Sequence, residues 1–553
     1  MGEAVLYNKN TVADKQYDWN KAFNNEDFVD YVLNAIPIDY IGLEEFISAY
    51  EYKNRKNFLT ASFPNCWMDI GSHAFENCVR MTSITCPSYK YESSGGVYNI
   101  YSIGEYAFKN CNELQKVTIS TARHIGSHAF ENLSNLLMFN SVYSDYSSNI
   151  LINIYDYAFA NCCSLSMFNG YKYINTISDY AFYNCGLSTC NIGESICSKI
   201  GSHAFEKCSS LIYVNRLNYN GVASSIFIDI GEYAFKDCIS LYSFNATAIG
   251  FIGSHAFENC ISLYTFVSYD GLLPWCRGIG EYAFSGCSNI YRFNLNPARN
   301  FTCDIYDYAF ANCINLNQIA INNISHIGKN IFENTKMYSV TLYGKDSNSY
   351  IPSDTFVNAS SLDTVILYSF YSLSNYAFYN LSTLRTFNGN DINYIGSHAF
   401  DGCSSISQIM LNTSFYSGVY CDEYAFNNCG CRTVTAGFNY IGNYAFNECN
   451  NVQYVQGPPY VKYIGKYAFY KCSNLTNLFI FSTNLSYIGS HAFDGCLSMT
   501  SINLSMVSSV PILESIDAFD NIPNYTIYVL SDIYQDYIND SIWCLLSNHI
   551  ISA

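Results

Sequence analysis

Two residue types that can do chemistry, cysteine and histidine, recur in this 553-residue chain at fixed distances from a repeated phenylalanine. The string Ile-Gly-Ser-His-Ala-Phe-Glu-Asn-Cys stands at 70–78 and again, letter for letter, at 252–260. A thiolate is a nucleophile and a soft-metal ligand. A Ser-His pair such as Ser72-His73 supplies two members of a nucleophilic triad. A reactive site and a packing unit predict different substitutions at these places, and the chain carries enough copies to tell them apart.

Cysteine lies three residues after the phenylalanine in fourteen copies: Cys78, Cys111, Cys162, Cys185, Cys208, Cys238, Cys260, Cys287, Cys313, Cys403, Cys429, Cys449, Cys472 and Cys496. Five further copies hold Leu133, Thr335, Ala359, Leu381 and Ile522. Leucine, alanine and isoleucine neither ligate metal nor form disulfides. What they share with a thiol is a modest uncharged side chain, and free cysteine packs as a small hydrophobe. The position reads as a reduced packing ladder, with sporadic disulfides between neighbouring strands as the alternative. Thiols outside it, such as Cys276 and Cys544, are expected to be the accessible ones.

Histidine lies two residues before the phenylalanine at His73, His128, His203, His255, His398 and His491, and ten copies put tyrosine there instead. A catalytic or metal-binding histidine would not tolerate tyrosine in most copies, whereas half-buried aromatic packing would. The Ser-His pairs are adjacent residues of one unit, with no recurrent acid placed to orient the imidazole, and are set aside. The motifs GxxxxGK(S/T), HExxH and paired CxxC are absent. No catalytic residue, cofactor or metal site is expected.

The elements that position these residues follow from the repeat itself. Nineteen phenylalanine-anchored copies run from Phe75 to Phe519, with 22 residues the commonest spacing. A period of about 20–50 residues sustained over such a length marks a solenoid or an array. Isoleucine, often followed by glycine, lies five before the phenylalanine. Leucine or a relative lies six after, as at Leu114 and Leu316. Positions nine and eleven after are apolar (Val117 and Ile119, Ile409 and Leu411), while eight and ten are small or polar (Lys116 and Thr118, Ser501 and Asn503). That alternation predicts a strand with one buried face. The (Ser/Glu/Asp)-x-Ala-Phe-x-x-Cys stretch has helical spacing and suits a single turn capped by Ser or Asp. The expected fold is an α/β repeat solenoid of stacked parallel strands and short helical turns, each unit burying its apolar face only against its neighbours. Residues 70–524 form the array. Residues 1–69 form an N-terminal cap with a degenerate repeat around Ile41, Gly42 and Phe46, and 525–553 form a C-terminal cap, helical over Ser531–Ala553.

The formal charge is −18, from 45 acidic against 27 basic residues. Such a surface repels phosphate backbones and anionic lipid, so neither nucleic acid nor direct membrane adsorption is expected. No apolar run approaches the roughly 20 residues that span a bilayer. The start, Met-Gly-Glu-Ala-Val-Leu, lacks the basic and apolar regions of a secretory signal.

The unit I-G-x-(H/Y)-A-F-x-x-C-x-x-L-x-x-(V/I/F)-x-(L/I), running from Ile70 to Phe519, resembles the leucine-rich repeat of the BspA-like (Treponema-type) class. Thr526-Ile527-Tyr528-Val529 with Tyr537 and Trp543 resembles the cap that closes such arrays, although Leu530 stands where proline is usual. The resemblance implies a right-handed leucine-rich-repeat superhelix used for adhesion or partner binding, with no common catalytic residue. It also implies display on a cell surface, or on a virion, since similar arrays occur in phage-encoded proteins.

Two features could carry a ligand. Asn140, Asn169, Asn215, Asn245 and Asn294, ten after the phenylalanine, either make amide ladders along the sheet or offer a polar face. Longer repeats insert Pro87–Ser102, Ser141–Asn153, Arg216–Asp229 and Val267–Gly278, carrying Tyr89, Tyr91, Tyr98, Tyr143, Tyr146, Tyr219 and Trp275. Tyrosine and tryptophan among Ser, Gly and Asn suit recognition loops. The expected function is a non-enzymatic binding solenoid that meets a protein or glycan receptor. The alternatives are a structural spacer or assembly part, joined to a larger complex through residues 1–69, and an intracellular interaction scaffold.

Overall fold

The computed structural model describes residues 48–62, 69–85, 102–120, 122–142, 152–169, 174–191, 197–215, 227–246, 248–267, 275–295, 302–346, 348–412, 418–456, 461–479 and 482–553. The chain divides into two compact units, one of Met1–Cys276 with Gly286–Ser288, the other of Arg277–Ser285 with Asn289–Ala553. Each is a parallel-strand solenoid of the leucine-rich-repeat kind, built from the same turn.

The expected strand is present in turn after turn. In the first unit Lys116–Ser120 and Met138–Val142 pair in parallel with Val117 opposite Phe139. In the second, Thr364–Tyr368, Thr386–Asn390 and Gln408–Asn412 continue the same register. Positions nine and eleven point inward, as Val365 and Leu367 do, and the residues between them point out.

A second, shorter strand was not foreseen. It ends on the isoleucine five before the phenylalanine, as in Asp69–Ile70, Ser102–Ile103 and His124–Ile125, which pair in parallel with one another. In the second unit eight such strands, from Tyr350–Ile351 to Ile512–Leu513, form a sheet of their own. The glycine after the isoleucine lets backbones approach. A Cβ at Gly126 would lie 2.7 Å from the Glu105 amide nitrogen.

The Ala-Phe stretch is not a helical turn. It is a run of tight turns, with i→i−3 bonds from Ala74 to Gly71, Glu76 to His73 and Cys78 to Phe75. The alternate amides cross to the next turn: His73 N–H bonds Glu105 O, Phe75 bonds Ala107 O and Asn77 bonds Lys109 O. Two residues per turn take positive φ, the His/Tyr position (His73, +59°) and the residue two after the phenylalanine (Asn77, +61°). Asparagine tolerates that region and dominates the second site, and Gly286, Gly402 and Gly495 replace it there. Ser or Asp does not cap this segment. Asp179 Oδ1 instead accepts from the Ser202 amide of the next turn at 2.8 Å.

All nineteen repeat phenylalanines are buried. From Phe75 to Phe257 their rings stack at 5.1–5.2 Å with 3–11° between planes. The first described turn centres on Tyr52: Tyr52 stacks on Phe75 at 5.2 Å, and Tyr50 and Asn54 take the two left-handed positions. The segment around Ile41, Gly42 and Phe46 lies outside the described residues. At the other end the cap is helical over Tyr534–Asn539 and Trp543–His549, then adds a strand, Ile550–Ser552, that pairs with Thr526–Val529. Trp543 and Tyr537 are buried, and Trp543 Nε1 donates to Pro511 O at 2.8 Å. Among the described residues no helix is long and apolar enough to cross a membrane.

Candidate functional site

The cysteine column is a hydrogen-bonding element as well as a packing one. Cys111 Sγ donates to Phe75 O at 3.0 Å, and the same bond joins Cys185 to Phe159, Cys208 to Phe182 and Cys472 to Phe446. Each thiol thereby serves a buried carbonyl of the preceding turn, a reason for cysteine over alanine that substitution patterns did not reveal. Burial pushes the Cys208 thiol up to about 12 and those of Cys111, Cys238 and Cys260 well above the ordinary range. Such groups stay protonated and are poor nucleophiles. Cys276, expected to be accessible, is buried, whereas Cys163 is exposed and Cys544 half-buried. Among the described residues no group of three or more His, Cys, Asp and Glu side chains could hold a metal.

The histidines stack, as expected, and they also have an acid, which was not expected. His73 lies between Tyr50 at 4.6 Å and Tyr106 at 4.7 Å, with planes within 9°. Every one of the six histidines bonds an acid three residues on through Nδ1: Glu76, Glu131, Glu206, Glu258, Asp401 and Asp494, at 2.5–3.0 Å. None of the ten tyrosine copies carries an acid there. In three of the six copies the acid also faces a lysine of the preceding turn, as Glu76 faces Lys53 at 2.7 Å and Glu258 faces Lys236 at 2.6 Å. Burial would raise the Glu76 carboxyl, but its bonds to Lys53 and His73 outweigh that and hold it low. The neighbouring serine is not aimed at the imidazole; the Ser397 hydroxyl donates to Glu423 O at 2.9 Å. The constellation is a lattice contact between turns, not a triad.

An amide ladder runs along a position where none was expected. Two residues after the phenylalanine, Asn77 donates to Asn54 at 2.8 Å, Asn110 to Asn77 at 3.0 Å, Asn161 to Asn132 at 3.0 Å and Asn184 to Asn161 at 3.1 Å. Ten residues after, Asn140 and Asn169 lie side by side with Nδ2 and Oδ1 3.5 Å apart, the outer limit of a bond. Asn215 stands beside Asn245 in register, and Asn294 beside Ala320. Asn169 is exposed, and Asn140, Asn245 and Asn294 are half-buried. This row is an outward face of the sheet.

Of the loop residues, Tyr89, Tyr91, Tyr98, Tyr143, Tyr146 and Tyr219 lie outside the described residues. Trp275 is not in a loop: it opens the strand Trp275–Ile279. The ends of the other insertions are strands too, as at Ser102–Ile103, Ile152–Ile154 and Ile228–Ile230.

A cluster that pattern reading missed lies on three successive turns of the first unit. Ile212, Tyr213, Tyr242 and Tyr264 at the sheet's entry edge are 38–48% exposed, large values for such side chains. The Tyr242 amide bonds Ile212 O and the Tyr264 amide bonds Tyr242 O, so the positions are adjacent. Tyr242 lies edge-on to Tyr213 at 6.3 Å and stacks on Tyr264 at 5.6 Å. Ile239 and Ile261, one residue after the ladder cysteine on two of the same turns, are exposed as well. The signal was present in sequence, since position seven is elsewhere often polar, as at Gln115, Ser166, Asn317 and Ser407.

Six copies of the family model for the BspA-type leucine-rich repeat region match the chain, over residues 45–144, 97–212, 139–264, 228–363, 338–437 and 393–526. No curated protein matches. Solved structures that it resembles include a leucine-rich repeat protein of Bacteroides ovatus, 21% identical, with 81% of this chain and 91% of that one covered and a TM-score of 0.39. A leucine-rich cell surface protein of Faecalibacterium prausnitzii is also 21% identical, with 60% and 88% covered and a TM-score of 0.28. A leucine-rich repeat protein of Eubacterium ventriosum is 16% identical, with 71% and 90% covered and a TM-score of 0.27.

Proposed function

The chain belongs to the BspA-type leucine-rich repeat family, and from that premise we propose that it is a non-enzymatic binding solenoid which attaches to a protein or glycan receptor. The observation that carries the reading is the exposed apolar cluster of Ile212, Tyr213, Tyr242, Tyr264, Ile239 and Ile261. Repeated positions serve packing between turns, so residues that depart from the repeat and face outward are the ones free to meet a partner. Contiguous exposed apolar surface of this kind marks interaction sites, and tyrosine is enriched among interface anchors. The partner side is uncharged or basic rather than nucleic acid, in keeping with the net charge of −18. Adhesion or host recognition is the finer form of this reading, and display on a cell surface or virion is its setting.

The test is attachment of labelled protein to epithelial cells and to a glycan array. Replacing Tyr213, Tyr242 and Tyr264 by Ser leaves the core positions intact, so the circular dichroism spectrum is expected to stay unchanged. Attachment is expected to fall at least about tenfold, which requires only about 1.4 kcal/mol. Unaltered attachment by a folded variant refutes the assignment of the cluster. The spacer reading predicts that result, with assembly disturbed instead by deletion of residues 1–69.

A further inference from the structure

The second sheet of the second unit carries a column of tyrosines that neither the repeat motif nor the binding reading uses. Tyr394, Tyr420, Tyr440, Tyr463 and Tyr487 stand opposite one another on five adjacent strands. Their rings are cofacial: centroids lie 5.5, 4.2, 4.5 and 4.7 Å apart in sequence, with 13°, 2°, 4° and 4° between planes. The column is open to solvent along one side, with Tyr420 exposed and the other four half-buried. Both ends have a proton acceptor. Tyr394 Oη donates to Asp422 Oδ2 at 2.8 Å, and Tyr487 Oη donates to Glu514 Oε2 at 2.7 Å.

We infer that this column is an oxidative cross-linking site, at which a haem-peroxidase-type oxidant with hydrogen peroxide joins Tyr420 to Tyr440 as a dityrosine. A phenol loses an electron readily only if its proton leaves with it. The carboxylates of Asp422 and Glu514 take that proton from the end phenols at hydrogen-bond distance, and the stacked rings let the oxidising equivalent pass inward. Two phenoxyl radicals then form a carbon–carbon bond between ring positions ortho to oxygen. The hydrogen on each joined carbon moves to oxygen and restores both phenols. The pair loses two electrons and two protons in all, and one hydrogen peroxide takes them up and leaves as two waters. Two phenoxyl rings couple from a face-to-face approach, and Tyr420 and Tyr440 are held that way at the shortest spacing in the column. The bond would staple two successive turns on the outside, where the cysteines cannot, because Cys421, Cys449 and Cys472 are buried.

The experiment treats the full chain with peroxidase and hydrogen peroxide, then reads dityrosine fluorescence and maps cross-linked peptides by mass spectrometry. The expected product is monomeric, lighter by two hydrogen masses, with the Tyr420 peptide joined to the Tyr440 peptide. Tyr440→Phe keeps the stack and is expected to abolish that peptide. Glu514→Gln keeps the tyrosines, removes one base, and is expected to slow the reaction. Controls lie within the same molecule. Tyr350 and Tyr371 are 48% and 45% exposed, more than any tyrosine of the column. Tyr424 and Tyr444 form a second cofacial pair at 4.7 Å in the His/Tyr column. Products distributed over Tyr350 and Tyr371, equal linkage of Tyr424 to Tyr444, or chiefly intermolecular dimers would each overturn the assignment. So would an unchanged rate in Glu514→Gln.

Discussion

Substituting alanine for Phe400 tests the lattice at one of its best-defined points. The ring is fully buried. It stacks on Phe378 and on Phe426, both at 5.1 Å, and meets Phe387 edge-on at 4.8 Å. Truncation removes a whole ring from the core, for which about 3–5 kcal/mol is usual. Each aromatic pair adds about 0.5–1.5 kcal/mol beyond buried area. Collapse into the cavity is hindered, because the Phe400 amide is bonded to Ala425 O and the Phe378 amide to Ala399 O. The expected cost is therefore near the top of the range, about 4–5 kcal/mol. Phe400→Leu keeps most of the volume and is expected to cost about half as much, chiefly through lost ring contacts. Repeats couple mainly to neighbours, so the damage should be local at first. Hydrogen exchange read by mass spectrometry should show lost protection over the turns anchored by Phe378, Phe400 and Phe426, with the turn of Phe493 unchanged. Uniform loss across the unit, or a cost below about 1.5 kcal/mol, would refute the lattice argument.

Four further expectations follow from the same contacts. Among the described thiols, alkylation of the native protein should label Cys163 first and Cys544 next, leaving Cys208, Cys260 and Cys276 silent; because burial raises the Cys208 thiol to about 12, raising the pH to 9 should not expose it. His203→Tyr should cost less than His203→Ala, read by urea denaturation, since both lose the bond to Glu206 but only tyrosine keeps the stack on Tyr180 and Tyr233, now at 4.4 Å and 4.8 Å. Asn110→Gly should be better tolerated than Asn110→Ala in thermal melts, because the residue holds φ at +60°. Bonds from Lys466 and Tyr487 hold the Glu514 carboxyl down to about 2, below an ordinary 4.5. The stabilisation is thus present above about pH 4.5 and is lost as pH falls towards 2, with solvent screening keeping it small. Tyr487→Phe should move the Glu514 midpoint upward in an NMR titration, and an unmoved midpoint contradicts that coupling.

Period-two alternation made the longer strand legible, as at Val117 and Ile119, because one buried face imposes the same pattern in every turn. The phenylalanine and cysteine columns were legible for the same reason. The strand ending at Ile70 was not, because two residues are too few to show a period. The Ala-Phe segment has apolar residues at spacings that a helix and a chain of tight turns share. What separates them is positive φ, and the asparagines at 77, 110 and 132 were its sequence sign. The pairing of His73 with Glu76 was visible only by comparing two positions across copies, since either column alone looks variable. The cluster at Tyr213, Tyr242 and Tyr264 could not be inferred from tyrosine content, because tyrosine also fills the half-buried stacks between turns around Tyr106 and Tyr233.

The central claim is that each turn is a packing unit held by contacts with its neighbours. Excising one whole turn, residues 378–399, joins Ala377 to Phe400 and brings Phe400 onto Phe356. Hydrogen exchange of that shortened chain is the most direct measurement. The account predicts that the turns on either side keep their protection, with Phe400 now stacked on Phe356. Loss of protection throughout the second unit would contradict it.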